Sequence, residues 1–356
     1  MTTLSAHRGP VRVALIGTGG MARHHAEKFR AIPGCRIVAC ADVDRARAEA
    51  FAQTHGIPKA FGDLTTLLRE APCDAVSIVT PDPFHLPLTL EALKAGKHVL
   101  CEKPLALNQR DARRMLAAAR RAQRIHMVNL SYRNWPALQE VARQVRSGAL
   151  GELRHVEASY LQSWLVGNYW GDWRTSPTWL WRLSQRHGSL GVLGDVGVHI
   201  VDFAMFPAGP IRSVYCQLKT FPKAPGNRIG EYRLDANDSA VLNVEFANGA
   251  LGAIHTTRWS TGHKNRLYLK ISGTLGAVEI DSERATDRYR VCRGAAVHTG
   301  EWQEVTCKGT PTNHQRFIRA IKAGRQDQPD FNDGVLAQSV LDASFASAAK
   351  QRPVRV

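Results

Sequence analysis

Four consecutive residues, Cys101-Glu102-Lys103-Pro104, carry a chemistry of their own. They complete an apolar run from His98 to Cys101, bounded by Gly96 and Pro104, that reads as a buried parallel strand. Lys103 then stands at the carboxyl end of a strand, where open α/β sheets bind their ligands. Pro104 restricts the backbone of Lys103 to extended conformations, so the ammonium projects in a fixed direction. Held there, it can polarise a hydroxyl or carbonyl oxygen if something reactive lies opposite. A surface lysine can also simply end a strand, and these four residues leave both readings open.

A second constellation lies in GSLGVLGDVGVHIVD, Gly188 to Asp202. Asp195 and His199 are spaced i, i+4, which on a helix puts them on one face about a turn apart. Glycines at 188, 191, 194 and 197 let backbone or a ligand approach that face. A carboxylate beside an imidazole can orient it and raise its basicity, which suits removal of an alcohol proton. The alternative is a capping Asp followed by an ordinary helix His.

The elements that must position these groups begin near the N-terminus. Val11 to Ile16 (VRVALI) reads as a strand leading into Gly17-Thr18-Gly19-Gly20-Met21-Ala22, which fits G-x-G-x-x-G/A. An amphipathic helix follows, then a strand from Arg36 to Ala41 that ends at Asp42. Gly17 permits the tight turn, Gly19 lets backbone approach a pyrophosphate, and Ala22 allows close helix–strand packing. The pyrophosphate would rest on exposed N–H groups at the positive end of the helix. Strand, glycines, helix, strand and acid in this order predict a dinucleotide site. Asp42 can accept hydrogen bonds from a ribose diol and would repel a 2′-phosphate. Arg45 is the counter-argument, since a nearby arginine can pair with that phosphate, but it reads better as a solvated helix residue. NAD is therefore expected rather than NADP.

Residues 11 to about 130 alternate short apolar runs with helical patterns, predicting a parallel sheet. From Leu153 strands come in long runs with hairpin punctuation, as at Asn248-Gly249. The last third returns to helix. The fold class is α/β: an N-terminal Rossmann dinucleotide-binding domain (residues 1–130), then a C-terminal α+β domain (131–356) with a large, mostly antiparallel open sheet. Such a sheet has one face left to hide, so a homodimer or homotetramer is expected.

At 356 residues, 44% hydrophobic and 22% charged, the chain suits two globular domains. No apolar run reaches the roughly 18 residues that would span a bilayer. The opening MTTLSAHRGP lacks the apolar core of a secretory leader. Seven scattered cysteines without C-x-x-C spacing argue for free thiols in a reducing cytoplasm, and against a disulfide framework or zinc site. The net charge of +16 is spread along the chain without a basic block. It favours a solvated surface, or an anionic substrate or cofactor drawn by the field, over nucleic acid.

Together these motifs resemble the Gfo/Idh/MocA oxidoreductases, over nearly the full length. The carrying residues are Gly17–Ala22, Thr80-Pro81 with His85, Glu102-Lys103-Pro104, and Asp195-x-Gly197-x-His199-x-x-Asp202. The resemblance implies that Lys103, Asp195 and His199 form a catalytic triad. Lys103 would position the reacting hydroxyl, His199 act as base, and Asp195 bind substrate and support the base. No metal is then needed. It further implies a cofactor site lined by Gly17, Thr18, Gly19, Gly20, Met21, Asp42, Thr80, Pro81, His85, Glu102, Lys103 and Asn129. Arg182, in the pair Trp181-Arg182, would touch the nicotinamide side. One departure is Asp82, where relatives usually carry Asn.

Five of the eight tryptophans lie between Trp164 and Trp181. Indole faces stack on sugar rings, but they also pack cores, and both readings stand. Trp173 and Arg174 are the candidate substrate contacts from this segment, Arg174 for an acidic substituent. The expected activity is NAD-dependent hydride transfer from a secondary alcohol of a sugar, polyol or glycoside. The alternatives are a glycoside-cleaving enzyme that oxidises its ring transiently and returns the hydride, and a sugar-responsive regulator without turnover.

Overall fold

The computed structural model describes residues 6–356, in two compact units. The first five residues, part of the stretch read above as lacking a leader core, lie outside the described residues.

The first unit runs to Ser131 and takes in Pro311–Gln338 as well, a return that a single division after residue 130 does not provide for. Its strands are β1 (Val11–Ile16), β2 (Cys35–Ala41), β3 (Ala60–Phe61), β4 (Ala75–Ile78), β5 (His98–Cys101) and β6 (His126–Val128). All pair in parallel, in the order β3-β2-β1-β4-β5-β6. The order reverses between β1 and β4, and the crevice at such a switch point is where doubly wound sheets bind nucleotides. The strands read as largely apolar runs, interrupted by Arg12 on β1 and Ser77 on β4, because both faces are covered: β4 and nearly all of β1 are buried. Helix Asn313–Ala323 explains the return. Its Phe317, Ile318 and Ile321 complete the core around Val13, Leu15, Phe29, Leu100 and Met127. A capping box of Thr312 and Gln315 fixes where that helix starts.

The second unit holds β7 (Leu153–Leu161), β8 (Ile211–Lys219), a small ribbon of β9 (Arg228–Ile229) and β10 (Tyr232–Arg233), then β11 (Ser239–Phe246), β12 (Leu251–Thr257), β13 (Arg266–Gly273), β14 (Gly276–Asp281), β15 (Arg288–Arg293), β16 (Gln303–Thr306) and β17 (Val354–Arg355). The large sheet has nine strands, in the order β16-β15-β14-β13-β7-β12-β11-β8-β17. Every pairing is antiparallel except β7 with β12. Strand alternation is clean. On β11, Ala240, Leu242 and Val244 are buried, whereas Val241 is 48% exposed; Leu251 on β12, on the same face as Val241, is 61% exposed. Helix Val198–Ala208 is buried almost all round, which fits a sequence apolar at every position but His199 and Asp202.

Candidate active site

In the first unit the glycine loop follows β1 directly. Gly17 has φ +90°, and a Cβ there would stand 2.7 Å from the Val79 carbonyl oxygen, so only glycine fits. A Cβ on Gly19 or Gly20 would meet nothing within 4 Å. The loop therefore leaves open space at the start of helix Gly20–Arg30, as a bound pyrophosphate requires.

Asp42 ties this loop to the end of β2. Its Oδ2 accepts from the Thr18 N–H and Thr18 hydroxyl, both at 2.8 Å, and its Oδ1 from the Asp44 N–H at 3.0 Å. The Arg47 guanidinium donates to both oxygens, at 3.2 and 2.5 Å. Burial pushes the Asp42 carboxyl up, but the bonds from Arg47, Thr18 and Asp44 outweigh it and hold it at about 2. Arg47, half-exposed, is thus the cation at this carboxylate. Arg45, weighed from the sequence against a 2′-phosphate and read as a solvated helix residue, is exposed and pairs with Glu49 one helical turn on.

Glu102 lies inward of the strand end and is buried. Its Oε1 accepts from Asn129 Nδ2 at 2.6 Å and lies 2.7 Å from His25 Nε2. Its Oε2 accepts the Lys103 backbone N–H at 3.2 Å. Burial pushes the Glu102 carboxyl up; His25, Asn129 and Lys103 overcome this and keep it well below the ordinary carboxylate range. Beyond His25 the network reaches Ser77, 2.9 Å from Nδ1, and Asn129 Oδ1 accepts from Asn313 Nδ2 at 3.2 Å. Glu102 and Asn129, expected to line the cofactor, therefore anchor the backbone that presents half-buried Lys103.

His85 joins the two motif loops. Nδ1 lies 2.8 Å from the Pro104 carbonyl oxygen and Nε2 2.9 Å from that of Thr80. Carbonyls only accept, so a ring that donates from both nitrogens would satisfy both contacts. Burial alone would push it down; Cys101, Asp82 and the Pro104 carbonyl outweigh burial and raise it. Thr80 Oγ1 is buried without a hydrogen-bond partner, beside the glycine turn. Open space over the glycines, an ionised acid at the end of β2 and this orphaned hydroxyl all fit a bound dinucleotide.

In the second unit Asp195 lies within a π-helical turn, Leu193–Gly197, that runs into helix Val198–Ala208. Such turns occur often at functional sites. The glycines here serve packing. A Cβ on Gly194 would stand 2.2 Å from Leu190 Cβ, and one on Gly191 would stand 2.4 Å from the Asn237 side chain. Asn237 pins the turn by accepting from Leu193 N–H and donating to the Leu190 carbonyl. The Asp195 Oδ2 accepts from Arg258 at 3.0 Å, and Arg182 Nε lies 3.7 Å from the same oxygen. His199, 9% exposed, packs edge-on against Tyr132 with ring centroids 4.7 Å apart. The Tyr132 and Tyr160 hydroxyls are 2.5 Å apart, and Tyr160 donates to Asn265. Burial, with Tyr132 and Asp195 adding to it, raises the Tyr160 phenol well above its ordinary value. Asp202 is buried and paired with Arg133.

The tryptophans divide. Trp164 and Trp173 are buried with Leu165, Leu180, Leu183 and Leu234, and the Trp173 N–H donates to the Leu165 carbonyl. Trp179 stacks on Trp170, which is 40% exposed, and Trp181 is similarly exposed. Arg174 is exposed, paired with Asp172 and lying over the Trp173 ring. Sequence reasoning missed Arg258, Arg47, His25, Tyr132 and Tyr160. None stands in a spaced motif, and Arg258 meets Asp195 across 63 residues of chain.

Residues 11–130 match the model of an oxidoreductase family with an NAD-binding Rossmann fold, and residues 138–279 match the GFO/IDH/MocA C-terminal domain. Levoglucosan dehydrogenase of Pseudarthrobacter phenanthrenivorans is 28% identical, with 97% of this chain and 98% of that protein aligned. Inositol 2-dehydrogenase of Rubrobacter xylanophilus is 30% identical over 97% and 93%. Among solved structures, levoglucosan dehydrogenase in complex with NADH and levoglucosan superposes with a TM-score of 0.87 at 26% identity, covering 98% of this chain and 99% of that one. An oxidoreductase domain protein from Kribbella flavida gives 0.86 at 29% over the same shares. Both domains in their proper order, and a relative aligned almost end to end, make the chain a member of the Gfo/Idh/MocA oxidoreductase family.

Proposed function

We propose that this oxidoreductase is an NAD-dependent dehydrogenase acting on a secondary alcohol of a sugar, polyol or glycoside. The observation that carries the reading is in the first unit: Lys103 follows the carboxyl end of β5, its backbone tied to the ionised Glu102, on the sheet whose β1 feeds the glycine loop. NAD supplies the hydride acceptor. The Gly17–Met21 loop would hold its pyrophosphate and Asp42 its ribose, with Thr80 and Pro81 beside them. Lys103 stabilises the alkoxide that develops as the hydroxyl loses its proton. His199 takes that proton as general base. Asp195 orients the substrate as a fixed anion, and Arg182 lies beside it. Relatives named for levoglucosan, inositol, D-apiose and D-glucoside dehydrogenation support a cyclic polyhydroxylated substrate.

Seven free thiols fit a cytoplasmic setting, and among the described residues no helix is long and apolar enough to cross a membrane. The test is a panel of levoglucosan, myo-inositol, D-apiose, methyl glucosides and uronates, each with NAD, followed by NADH absorbance. NADH formed in proportion to alcohol consumed is the expected result. Consumption of a glycoside without net NADH, or no NAD reduction by any member and no NADH oxidation by the matching ketones, would overturn the reading.

A further inference from the structure

Arg258 follows β12 directly, and its side chain is fully buried. A buried guanidinium is tolerated only when a counter-charge and hydrogen-bond acceptors are built around it. Here the donors divide between two elements. One terminal nitrogen donates to Asp195 Oδ2 at 3.0 Å, and the other donates to the Arg182 carbonyl oxygen at 3.0 Å. The guanidinium carbon lies 4.9 Å from the centroid of the Trp164 ring. A second acid, Asp238, is close enough to be felt, but its charge is matched elsewhere. Its Oδ2 lies 2.8 Å from Lys223 Nζ, both side chains being fully buried, and also accepts the Phe221 N–H. Compensation of Arg258 therefore falls to Asp195, whose side chain keeps 29% exposure and remains within reach of a ligand.

We propose that Arg258 is a positioning residue for the dehydrogenase site, locking the Asp195 carboxylate and the Trp181-Arg182 segment into one geometry and keeping Asp195 ionised throughout turnover. This rests on the reading that Asp195 belongs to the catalytic machinery. Protonating Asp195 would strand a buried cation, so Asp195 serves as a fixed anion and not as a proton carrier. Arginine is required because one planar group must reach two acceptors on different elements while lying over an indole. A lysine ammonium could replace one of those contacts.

The experiment uses the full chain with saturating NAD and the panel alcohol that is turned over fastest. Arg258→Met should lower kcat on the order of 10²-fold, the loss expected when a reacting geometry slips by about an ångström. The dissociation constant for NAD should change less than about threefold, because the proposed pyrophosphate and ribose contacts, Gly17–Met21 and Asp42, belong to the first unit and Arg258 to the second. Arg258→Lys should recover part of kcat. In an Asp195→Asn background, Arg258→Met should add less than about threefold, since its effect runs through Asp195. A folded Arg258→Met enzyme within about threefold of wild-type kcat, or losses that multiply fully in the double variant, would overturn the inference. If Arg258→Met does not fold, the double variant removes both charges and takes its place. It should melt above Asp195→Asn alone, and melting at or below it counts against the proposal. Wild-type turnover in Asp195→Asn would sink the site reading itself. Wild-type turnover in Arg258→Met beside a crippled Asp195→Asn would sink only the role given to Arg258.

Discussion

Changing Asp42 to asparagine keeps the side chain's shape and removes its charge, and the structure sets what that should cost. Five donors converge on the carboxylate, with the Thr18 N–H, Thr18 hydroxyl and Arg47 Nε on Oδ2, and the Asp44 N–H and a second Arg47 nitrogen on Oδ1. Whichever way an Asn amide turns, its NH2 group faces at least two donors. A carboxyl held at about 2 against an ordinary 3.8 stabilises the folded state by about 2 kcal/mol at neutral pH. Because the folded value is depressed, that contribution is complete above the ordinary value and is lost as pH falls through about 2. Urea denaturation at pH 7 should therefore show Asp42→Asn less stable by on the order of 2 kcal/mol, and the gap should shrink as pH falls from about 4 towards about 2. The same charge is proposed to accept from the cofactor ribose. A hydrogen bond to a charged group contributes roughly 1.5–3 kcal/mol, so the dissociation constant for NAD should rise about 10- to 100-fold. That for NADP should change less, narrowing the gap between them. Titration of both cofactors against tryptophan fluorescence measures this. An unchanged NAD constant in a variant of unchanged stability would refute both the charge assignment and the cofactor role.

Three further outcomes follow from other parts of the molecule. Lys103→Ala should cost about 10² to 10³ in kcat and His199→Ala roughly 10² to 10⁴, with NAD affinity retained; single-turnover kinetics within about threefold of wild type would remove the role given to that residue. Arg47→Ala should leave NAD binding within a few-fold and weaken NADP, because the half-exposed guanidinium competes with a ribose diol for Asp42 but would pair with a 2′-phosphate; tighter NADP binding on titration contradicts this. The large sheet leaves Val241 and Leu251 exposed on one face, so sedimentation should show self-association that Val241→Lys weakens; a wild-type monomer at micromolar concentration decides against it.

The parts that were legible in the sequence are those the backbone dictates locally. Gly17 cannot be another residue because a Cβ would strike the Val79 carbonyl, and that constraint surfaces as a glycine at a fixed place after a strand. Strands β1, β4 and β5 announce themselves because burial on both faces demands largely apolar runs. What was hidden depends on distant chain. Strand β3 has two residues and no pattern to show. The return of Asn313–Ala323 to the first unit is encoded in which core its apolar stripe completes, not in the stripe itself. The i, i+4 spacing of Asp195 and His199 suggests an α-turn, but Asn237, more than 40 residues on, holds a wider π-turn in place. Arg47 rather than Arg45 meets Asp42 because helix Arg45–Thr54 starts from an Asp44 cap and turns residue 47 back towards the strand end. Arg258 is one basic residue among 47 until its burial is known.

The hidden residues share a role, which bears on where the proton goes. Near the second constellation three acids are each matched to a buried cation: Asp195 to Arg258, Asp202 to Arg133 and Asp238 to Lys223. An acid so matched is a poor proton acceptor, because protonation strands its partner in a medium that solvates charge badly. None of the three suits the base role in alcohol oxidation, although Asp195 lies in the motif that suggests it. His199 differs in kind. Its ring packs against aromatic neighbours, Tyr132 and Tyr160, and imidazole is the side chain whose ordinary range lies closest to neutral pH. In the proposed reaction the acids would thus supply fixed negative charge and geometry, and the histidine the exchangeable proton site. If Asp195 were the base instead, removing Arg258 would leave an anion freer to accept a proton, and turnover should rise rather than fall.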